Sequence, residues 1–227
     1  MCTVTFIPLG GDEFVLTSNR DVSYRRPLAS PPERHDENGV KLVYPKDGKA
    51  GGTWIGSSRE NRLICLLNGG FENHIRQEVY RKSRGLIVTE LLAAEDLTNA
   101  LESINLEGIE PFTLVIVEWA FELRLREFVW DGVGKHDREL PLQPSIWSSS
   151  TLFDASMRET RQAWFESWKS ESELTPETIL EFHKRAGAGN DEVGVVLRRK
   201  QVGTVSITQF ANTRGISMKY EALQLPY

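Results

Sequence analysis

The sequence predicts a layered α+β fold in which helices cover two stacked, mainly antiparallel sheets. Strand-like runs occur in hairpin-like groups near both ends of the chain. The helical segments are grouped between these hairpins instead of alternating singly with strands, which argues against a doubly wound sheet. No internal repeat, low-complexity tract or linker interrupts the 227 residues, so we predict one domain over residues 1–227.

The elements are assigned in order from hydrophobic periodicity and from turn and capping residues. Strands are predicted at 3–8, 14–17, 51–56, 63–67, 113–119, 122–130, 194–199, 202–210 and 216–223. Helices are predicted at 85–94, after the N-cap Asp96, along the face of Met157, Trp164 and Trp168, and after Thr175-Pro176. Residues 25–39 hold three prolines and many charges, so an irregular exposed loop is expected there.

Composition excludes several classes of function. The net charge is −5 and no basic block is present, which argues against nucleic acid and against an anionic membrane surface. The N-terminus lacks the pattern of a secretory signal, and no apolar run approaches the roughly 18 residues of a membrane span. Two cysteines do not make a disulfide framework and are typical of a reducing compartment. A soluble, cytoplasmic protein is therefore expected.

Metal and cofactor motifs are also missing from the sequence. The four histidines are scattered, and none has a cysteine or carboxylate partner at ligand spacing. The pairs Gly10-Gly11 and Gly51-Gly52 lack the remaining residues of a phosphate-binding loop, and no Gly-x-Ser-x-Gly elbow occurs. We therefore predict neither a metal site nor a cofactor, and we expect a small-molecule ligand as the partner.

Cys2 directly follows the initiator methionine. Removal of Met1 would leave a thiol and a free α-amine on one residue, with reference pKa values of about 8.5 and about 7.7–8.0. The amine could then act as general base for the thiol, while Arg20 lowers the thiol pKa and Asp21 orients the amine. The alternatives are that Cys2 is a small apolar residue beginning a strand and that Arg20 and Asp21 brace the proline-rich loop.

Several motifs taken together resemble one family. They are Met1-Cys2-Thr3, Asn19-Arg20-Asp21 with Tyr24 and Arg26-Pro27, Gly51-Gly52-Thr53-Trp54-Ile55-Gly56, Leu67-Asn68 and Ser83-Arg84-Gly85-Leu86. In this order they are similar to the NRDE-domain family, also called the transport-and-Golgi-organisation-two family. The N-terminal pattern also resembles the cysteine branch of the N-terminal-nucleophile (Ntn) hydrolases, the group of penicillin V acylase and bile-salt hydrolase.

This resemblance implies a four-layer αββα sandwich, autoprocessing that exposes Cys2, and hydrolysis of a linear amide of a small acylated substrate. Cys2 would be nucleophile and base, Asp21 would bind the α-amine, and Arg20 would lie near the thiolate. Asn68 would help to form the oxyanion hole. A later catalytic arginine of that group corresponds loosely to Arg158, with Arg161 as a competitor.

The resemblance leaves two function classes open. Trp54 is a core or pocket-wall candidate, and Ser149 lies in Ser148-Ser149-Ser150 where both groups tend to carry a second asparagine. The family glutamate is Val22, and the expected C-terminal motif is reduced to Gly203-Thr204-Val205-Ser206. The first class is a hydrolase acting on non-peptide carbon–nitrogen bonds. The second is a non-catalytic binding or trafficking protein for a hydrophobic ligand such as a lipid, acyl-CoA or haem.

Overall fold

The computed structural model describes residues 3–223. Its strands are β1 Thr3–Gly10, β2 Glu13–Ser23, β3 Pro32–Glu37, β4 Val40–Pro45, β5 Ile55–Ser58, β6 Arg62–Asn68, β7 Phe112–Glu118, β8 Arg124–Trp130, β9 Lys135–Leu140, β10 Ser145–Ser148, β11 Val202–Asn212 and β12 Ile216–Ala222. Its helices are α1 Arg84–Leu92, α2 Leu97–Ser103, α3 Ala155–Glu171 and α4 Pro176–Arg185. The predicted α+β class with two mainly antiparallel sheets is confirmed.

The chain divides into two compact units. Among the described residues, the first comprises 3–26 and 143–223, and the second comprises Pro27–Leu142. The prediction of a single domain stays a prediction.

The first unit contains a five-stranded antiparallel sheet in the order β10-β1-β2-β11-β12. One face of this sheet packs against α3 and α4, where Ile7 and Val15 join Phe165 and Ile179 in one apolar cluster. Because strand side chains alternate between faces, Thr3 and Thr5 lie on the same helical side as Ile7. Helix α4 begins with the expected cap, in which the Thr175 side chain accepts a hydrogen bond from the Thr178 N–H.

The second unit contains a seven-stranded antiparallel sheet in chain order, from β3 to β9. Helices α1 and α2 contribute Ile87, Leu91 and Leu101 to the same apolar cluster as Ile64 and other sheet residues. Helix α2 begins at the predicted N-cap, since the Asp96 side chain accepts a hydrogen bond from the backbone N–H of Asn99.

A buried arginine satisfies the C-terminal end of α1. The Nη1 atom of Arg62 donates to the carbonyl oxygens of Leu91 and Ala94, at 2.9 and 2.7 Å. The positive charge of Arg62 also compensates the negative end of the helix dipole. Burial lowers the pKa of Arg62, and the carboxylate of Glu118 opposes that shift.

Several sequence-based assignments were wrong. Residues 25–39 are not an irregular loop throughout, because Pro32–Glu37 forms strand β3 and pairs with β4. Charged residues are tolerated in β3 because it is an edge strand, where exposed charges are common. Residues 194–199 do not form a strand, and this segment has only an isolated bridge between Arg198 and Gly203. Strands β9 and β10 were missed because β9 is almost wholly exposed and β10 spans only four residues.

The motifs Gly51-Gly52-Thr53-Trp54 and Ser83-Arg84-Gly85 touch each other through their backbones. The N–H of Thr53 donates to the carbonyl oxygen of Gly85 at 3.1 Å. A Cβ atom on Gly52 would lie 2.3 Å from the carbonyl carbon of Gly85, so no side chain fits there. The two glycines therefore allow α1 to start directly against the chain that enters β5.

Replacing Gly52 by alanine should lower the free energy of unfolding by about 2–3 kcal/mol, because the new methyl group overlaps backbone atoms that cannot rotate away. Gly134 is the matched control, since a Cβ atom there would meet only the side chain of His136 at 3.4 Å. Urea denaturation of Gly52→Ala and Gly134→Ala measures the difference. Equal stability of the two variants would refute the packing argument.

Candidate functional site

Cys2 lies outside the described residues, so the candidate site is built from the residues that follow and flank it. Thr3 begins β1 and is paired with Asn19 on β2 and with Ser148 on β10. The predicted hairpin between β1 and β2 is therefore present and brings Thr3 beside Asn19, whereas the predicted position of Cys2 stays a prediction.

Arg161 on α3 holds the side chain of Thr3. Its Nη1 atom donates to the Thr3 hydroxyl and, at 3.3 Å, to the Ser148 hydroxyl. Its Nε and Nη2 atoms donate to the carbonyl oxygens of Val193 and Gly194, at 2.8 and 2.6 Å. The guanidinium also stacks over the ring of Phe153 at 3.7 Å. Arg161 is fully buried, and its hydrogen bonds tie α3 to β1, to β10 and to the loop after α4.

Asn19 and His183 form a second buried link between the sheet and α4. The Asn19 Nδ2 atom donates to the carbonyl oxygens of His183 and Val195, at 3.0 and 2.8 Å. Its Oδ1 atom must then accept from His183 Nδ1, at 2.6 Å. The proton of the neutral imidazole is therefore on Nδ1, and Nε2 accepts from the Thr5 hydroxyl at 2.8 Å. Burial and, to a lesser extent, the charge of Arg161 lower the pKa of His183 to about 3.

Thr3, Thr5, Asn19, Arg161 and His183 are named here the N-strand cluster. Each has less than 1% of its surface exposed. The hydrogen bonds above connect β1 and β2 to both helices of the first unit. This cluster fixes the position of the strand that Cys2 precedes.

Asp21 and Arg20 are consecutive on β2, so their side chains leave opposite faces of the strand. The Asp21 carboxylate is buried and accepts a hydrogen bond from the Thr204 hydroxyl at 2.5 Å. The same Thr204 oxygen accepts from the backbone N–H of Leu197 at 2.8 Å. Asp21 therefore lies on the face of Asn19, and Arg20, which is also buried, lies on the other face.

Three buried hydroxyl groups share the face of Arg20. Ser18 precedes Arg20 by two residues on β2. On β11, Ser206 is paired with Arg20 and Thr208 is paired with Ser18. Within residues 3–223, the hydroxyl oxygens of Ser18, Ser206 and Thr208 have no hydrogen-bond partner. A buried hydroxyl without a partner costs about 1–3 kcal/mol of folding free energy. These three hydroxyls therefore lower the stability of the folded protein.

Threonine-to-valine exchanges separate paired from unpaired hydroxyls on one strand. Thr208→Val should raise the free energy of unfolding by about 1 kcal/mol, because it removes an unsatisfied buried hydroxyl and keeps the side-chain shape. Thr204→Val should lower it by about 2 kcal/mol, because Asp21 and the Leu197 N–H lose their partner. Chemical denaturation tests both, and changes of the same sign would contradict the hydrogen-bond assignment.

The remaining predicted residues of the first unit have different environments. Arg158 lies one helical turn before Arg161 and is partly exposed, and its backbone N–H donates to the Asp154 carbonyl oxygen. Ser149 is buried and its hydroxyl is 2.9 Å from that of Thr151. The Ser149 carbonyl oxygen accepts from the N–H groups of Leu152 and Phe153. Ser149 therefore lies in a tight turn after β10.

Trp54 and Asn68 belong to the second unit. Trp54 is buried directly before β5, and its carbonyl oxygen accepts from the Leu66 N–H at 2.8 Å. Asn68 ends β6, pairs with Phe112, and is partly buried. The oxyanion role of Asn68 and the pocket role of Trp54 stay predictions. Cys65 is a buried cysteine within β6.

Sequence reasoning missed His183 and Thr204 as parts of this network. His183 was considered only as one of four scattered histidines, and the packing of α4 on β1 and β2 shows its partners. Thr204 was noted only within a weakened motif. The helical spacing of Met157, Trp164 and Trp168 predicted a helix that contains Arg161. It did not predict that the Arg161 side chain is buried.

No group of three or more histidine, cysteine or carboxylate side chains within residues 3–223 is arranged to hold a metal ion. In the same part of the chain, none of the helices is both long and apolar enough to cross a membrane.

Comparisons with known proteins identify the family. The chain belongs to the Transport and Golgi organisation 2 family, whose model matches residues 1–183. It is similar to the Transport and Golgi organization 2 homologue of Mus musculus, with 34% identity over 99 residues, 41% of this chain and 34% of that protein. The homologue of Bos taurus is 28% identical over 114 residues, 48% of this chain and 40% of that protein. The matches thus span well under half of these relatives.

Solved structures show the fold. The Caenorhabditis elegans orthologue of N-acylethanolamine-hydrolyzing acid amidase superposes with a TM-score of 0.61 at 11% identity, covering 92% of each chain. Penicillin V acylase from Agrobacterium tumefaciens gives 0.50 at 8% identity, covering 98% of this chain and 86% of the other. A conjugated bile acid hydrolase variant from Clostridium perfringens gives 0.50 at 8%, covering 100% and 99%. The predicted Ntn-hydrolase-like fold is confirmed.

Proposed function

We propose that this protein is a cysteine N-terminal-nucleophile amidohydrolase that cleaves a linear amide of a small acylated substrate. The observation that carries the proposal is the anchoring of Thr3. Arg161 binds its side chain, and β2 and β10 pair with it on both sides. Cys2 is one peptide bond from this anchored residue, and nucleophilic catalysis depends on an oriented nucleophile.

The reaction uses the two groups of a processed Cys2. The α-amine takes the thiol proton, and the thiolate attacks the acyl carbonyl carbon. The carbon–nitrogen bond breaks as the α-ammonium gives its proton to the leaving amine, which leaves an acyl thioester on Cys2. Water then attacks the thioester while the α-amine accepts its proton, and the carboxylic acid and the free thiol are released.

Arg20 and Asp21 lie on opposite faces of β2, which suits two different proposed roles. Asp21 shares the face of Asn19, and Arg20 occupies the opposite face, which is also the face of Val4. The proposed role of Arg20 is to favour the Cys2 thiolate by its positive charge.

Fold neighbours agree with this reaction class. The C. elegans protein is an N-acylethanolamine-hydrolysing amidase, and the two bacterial proteins are a conjugated bile acid hydrolase and a penicillin V acylase. These proteins resemble this chain in fold only. The substrate of this protein must therefore be identified by experiment and not by analogy.

One observation favours the alternative of a non-catalytic protein that binds a hydrophobic ligand. Ser149 stands where the related groups tend to carry an asparagine, and its hydroxyl lies beside that of Thr151. Its carbonyl oxygen is also occupied by two backbone N–H groups. A side chain engaged in its own turn is poorly placed to stabilise an oxyanion.

A substrate panel separates the two functions. The panel comprises an N-acylethanolamine, a conjugated bile acid, penicillin V and several N-acyl amino acids, with release of the amine as the readout. We expect wild type and Cys65→Ala to hydrolyse at least one of them. Cys2→Ser should lose at least about a thousandfold in rate, because a serine hydroxyl is far less acidic than a thiol.

Two outcomes would overturn the proposal. Hydrolysis that persists in Cys2→Ser would show that another group is the nucleophile. Binding of a panel member to wild type without turnover would favour the binding protein. Cys65→Ala is the matched control because Cys65 is the other cysteine of the chain and is buried within β6.

A further inference from the structure

A groove lies between α3 and α4 within the first unit, and neither the proposed reaction nor the N-strand cluster uses it. Its cavity volume is about 620 Å³. Small-molecule sites typically enclose 300–1,000 Å³, so the groove has the size of a site for a small organic ligand.

The apolar wall of the groove is aromatic. Trp164 and Trp168 of α3 line it together with Phe182 of α4. The rings of Trp168 and Phe182 have centroids 5.1 Å apart, and Phe165 packs beneath both at 5.7 Å. Phe165 and Phe182 are buried, whereas both tryptophans are partly exposed and offer ring surface to a ligand.

Glycine shapes one end of the groove. A Cβ atom on Gly187 would lie 2.3 Å from the Trp164 ring, and the residue has φ +68°, which favours glycine. The ring of Trp164 can therefore lie directly over the backbone where the chain leaves α4. The aromatic wall thus has a fixed position.

The polar rim of the groove is acidic. Glu171, Glu177 and Glu181 line it, against one basic residue, Arg185. Arg185 is paired with Glu181 at 2.7 Å. Within residues 3–223, neither Glu171 nor Glu177 forms an ion pair. The rim therefore carries two carboxylates whose charge is not compensated by a neighbouring cation.

We propose that this groove binds a small amphipathic organic cation, with an apolar body and an ammonium group. The apolar body would lie on Trp164, Trp168 and Phe182. The ammonium would contact an indole face and the carboxylates of Glu171 and Glu177, since aromatic faces and carboxylates both attract a cation. An anion would be repelled by the same carboxylates and by the negative faces of the aromatic rings.

Three probes with the same body test the charge preference. They are 4-phenylbutyltrimethylammonium, the neutral 4-phenylbutan-1-ol and the anionic 4-phenylbutane-1-sulfonate, titrated into the full chain and followed by tryptophan fluorescence and calorimetry. We expect the ammonium to bind at least tenfold more tightly than the sulfonate, and the difference to shrink as salt is added. Equal affinity of the three, or tighter binding of the sulfonate, would overturn the proposal.

Variants locate the site. Glu171→Gln combined with Glu177→Gln should weaken ammonium binding about tenfold and leave binding of the alcohol unchanged. Glu159→Gln is the control, because Glu159 is exposed on α3 and does not line the groove. Trp168→Leu should weaken all three probes, and thermal unfolding checks that it remains folded.

Two results would refute the proposed binding site. Unchanged ammonium affinity in the double variant would place binding elsewhere and refute the assignment. A basic peptide that binds the groove when the ammonium probe does not bind even at millimolar concentration would likewise refute it, since the occupant would then be a polypeptide.

Discussion

Replacing Arg161 by methionine should lower the free energy of unfolding by about 3–5 kcal/mol, because it removes the donor that four buried or partly buried oxygens share. Two of these oxygens belong to the hydroxyls of Thr3 and Ser148, and two are backbone carbonyls. Each buried acceptor left without a partner costs about 1–3 kcal/mol, partly offset because methionine avoids burying a charge. Methionine also fills much of the same volume, so the change reports mainly on hydrogen bonding.

The matched control is Arg158→Met on the same helix. Arg158 lies one turn earlier on the helix and part of its surface is exposed to solvent. Its replacement should therefore change the free energy of unfolding by at most about 1 kcal/mol. Urea denaturation of the two variants measures the difference. If Arg158→Met were as damaging as Arg161→Met, Arg161 would not be the residue that anchors β1.

Stability should fall steeply with acid because of His183. Its pKa is about 3 in the folded protein and about 6.5 in an unfolded chain. Between these values the unfolded chain binds more protons, so stability is complete above about pH 6.5 and is lost as the pH falls towards 3. Each pH unit within this window costs up to about 1.4 kcal/mol, which amounts to roughly 2–3 kcal/mol at pH 4.5.

The replacement His183→Gln isolates this contribution. A glutamine cannot take up a proton but retains a donor and an acceptor that can reach Asn19 and Thr5. The free energy of unfolding, measured from pH 7 to pH 4.5, should decrease less for His183→Gln than for wild type by about the amount above. Parallel curves for the two proteins would show that His183 is not buried in its neutral form.

Local patterns were sufficient to predict the helices and most strands. The N-caps Asp96 and Thr175 were read from the sequence because capping is decided within three residues. Strand β3 was missed because its charged residues show no apolar alternation, although Asn38-Gly39, the two-residue turn that joins it to β4, is a local hairpin signal. The segment 194–199 had the residues of a strand, but Val195 and Leu197 serve instead as partners of Asn19 and Thr204.

Only those contacts of the candidate site that join residues close in the sequence could be predicted. The hairpin that pairs Thr3 with Asn19 followed from the strand pattern and the Gly10-Gly11 turn between β1 and β2. The difference between Arg158 and Arg161 did not follow, because both lie on α3 and only its packing buries Arg161. The His183 contacts join residues more than 160 positions apart, and no local signal encodes them.

The central claim is that Cys2 acts as a processed N-terminal nucleophile, and intact mass spectrometry tests it most directly. The purified protein is weighed before and after brief treatment with iodoacetamide at neutral pH, with Cys2→Ser as the control. We expect a mass that lacks Met1 and a single rapid alkylation that is absent from Cys2→Ser. The reason is that an exposed thiolate reacts with iodoacetamide, whereas a buried thiol such as Cys65 does not. A retained Met1 or a blocked α-amine would contradict the account, since either removes the base.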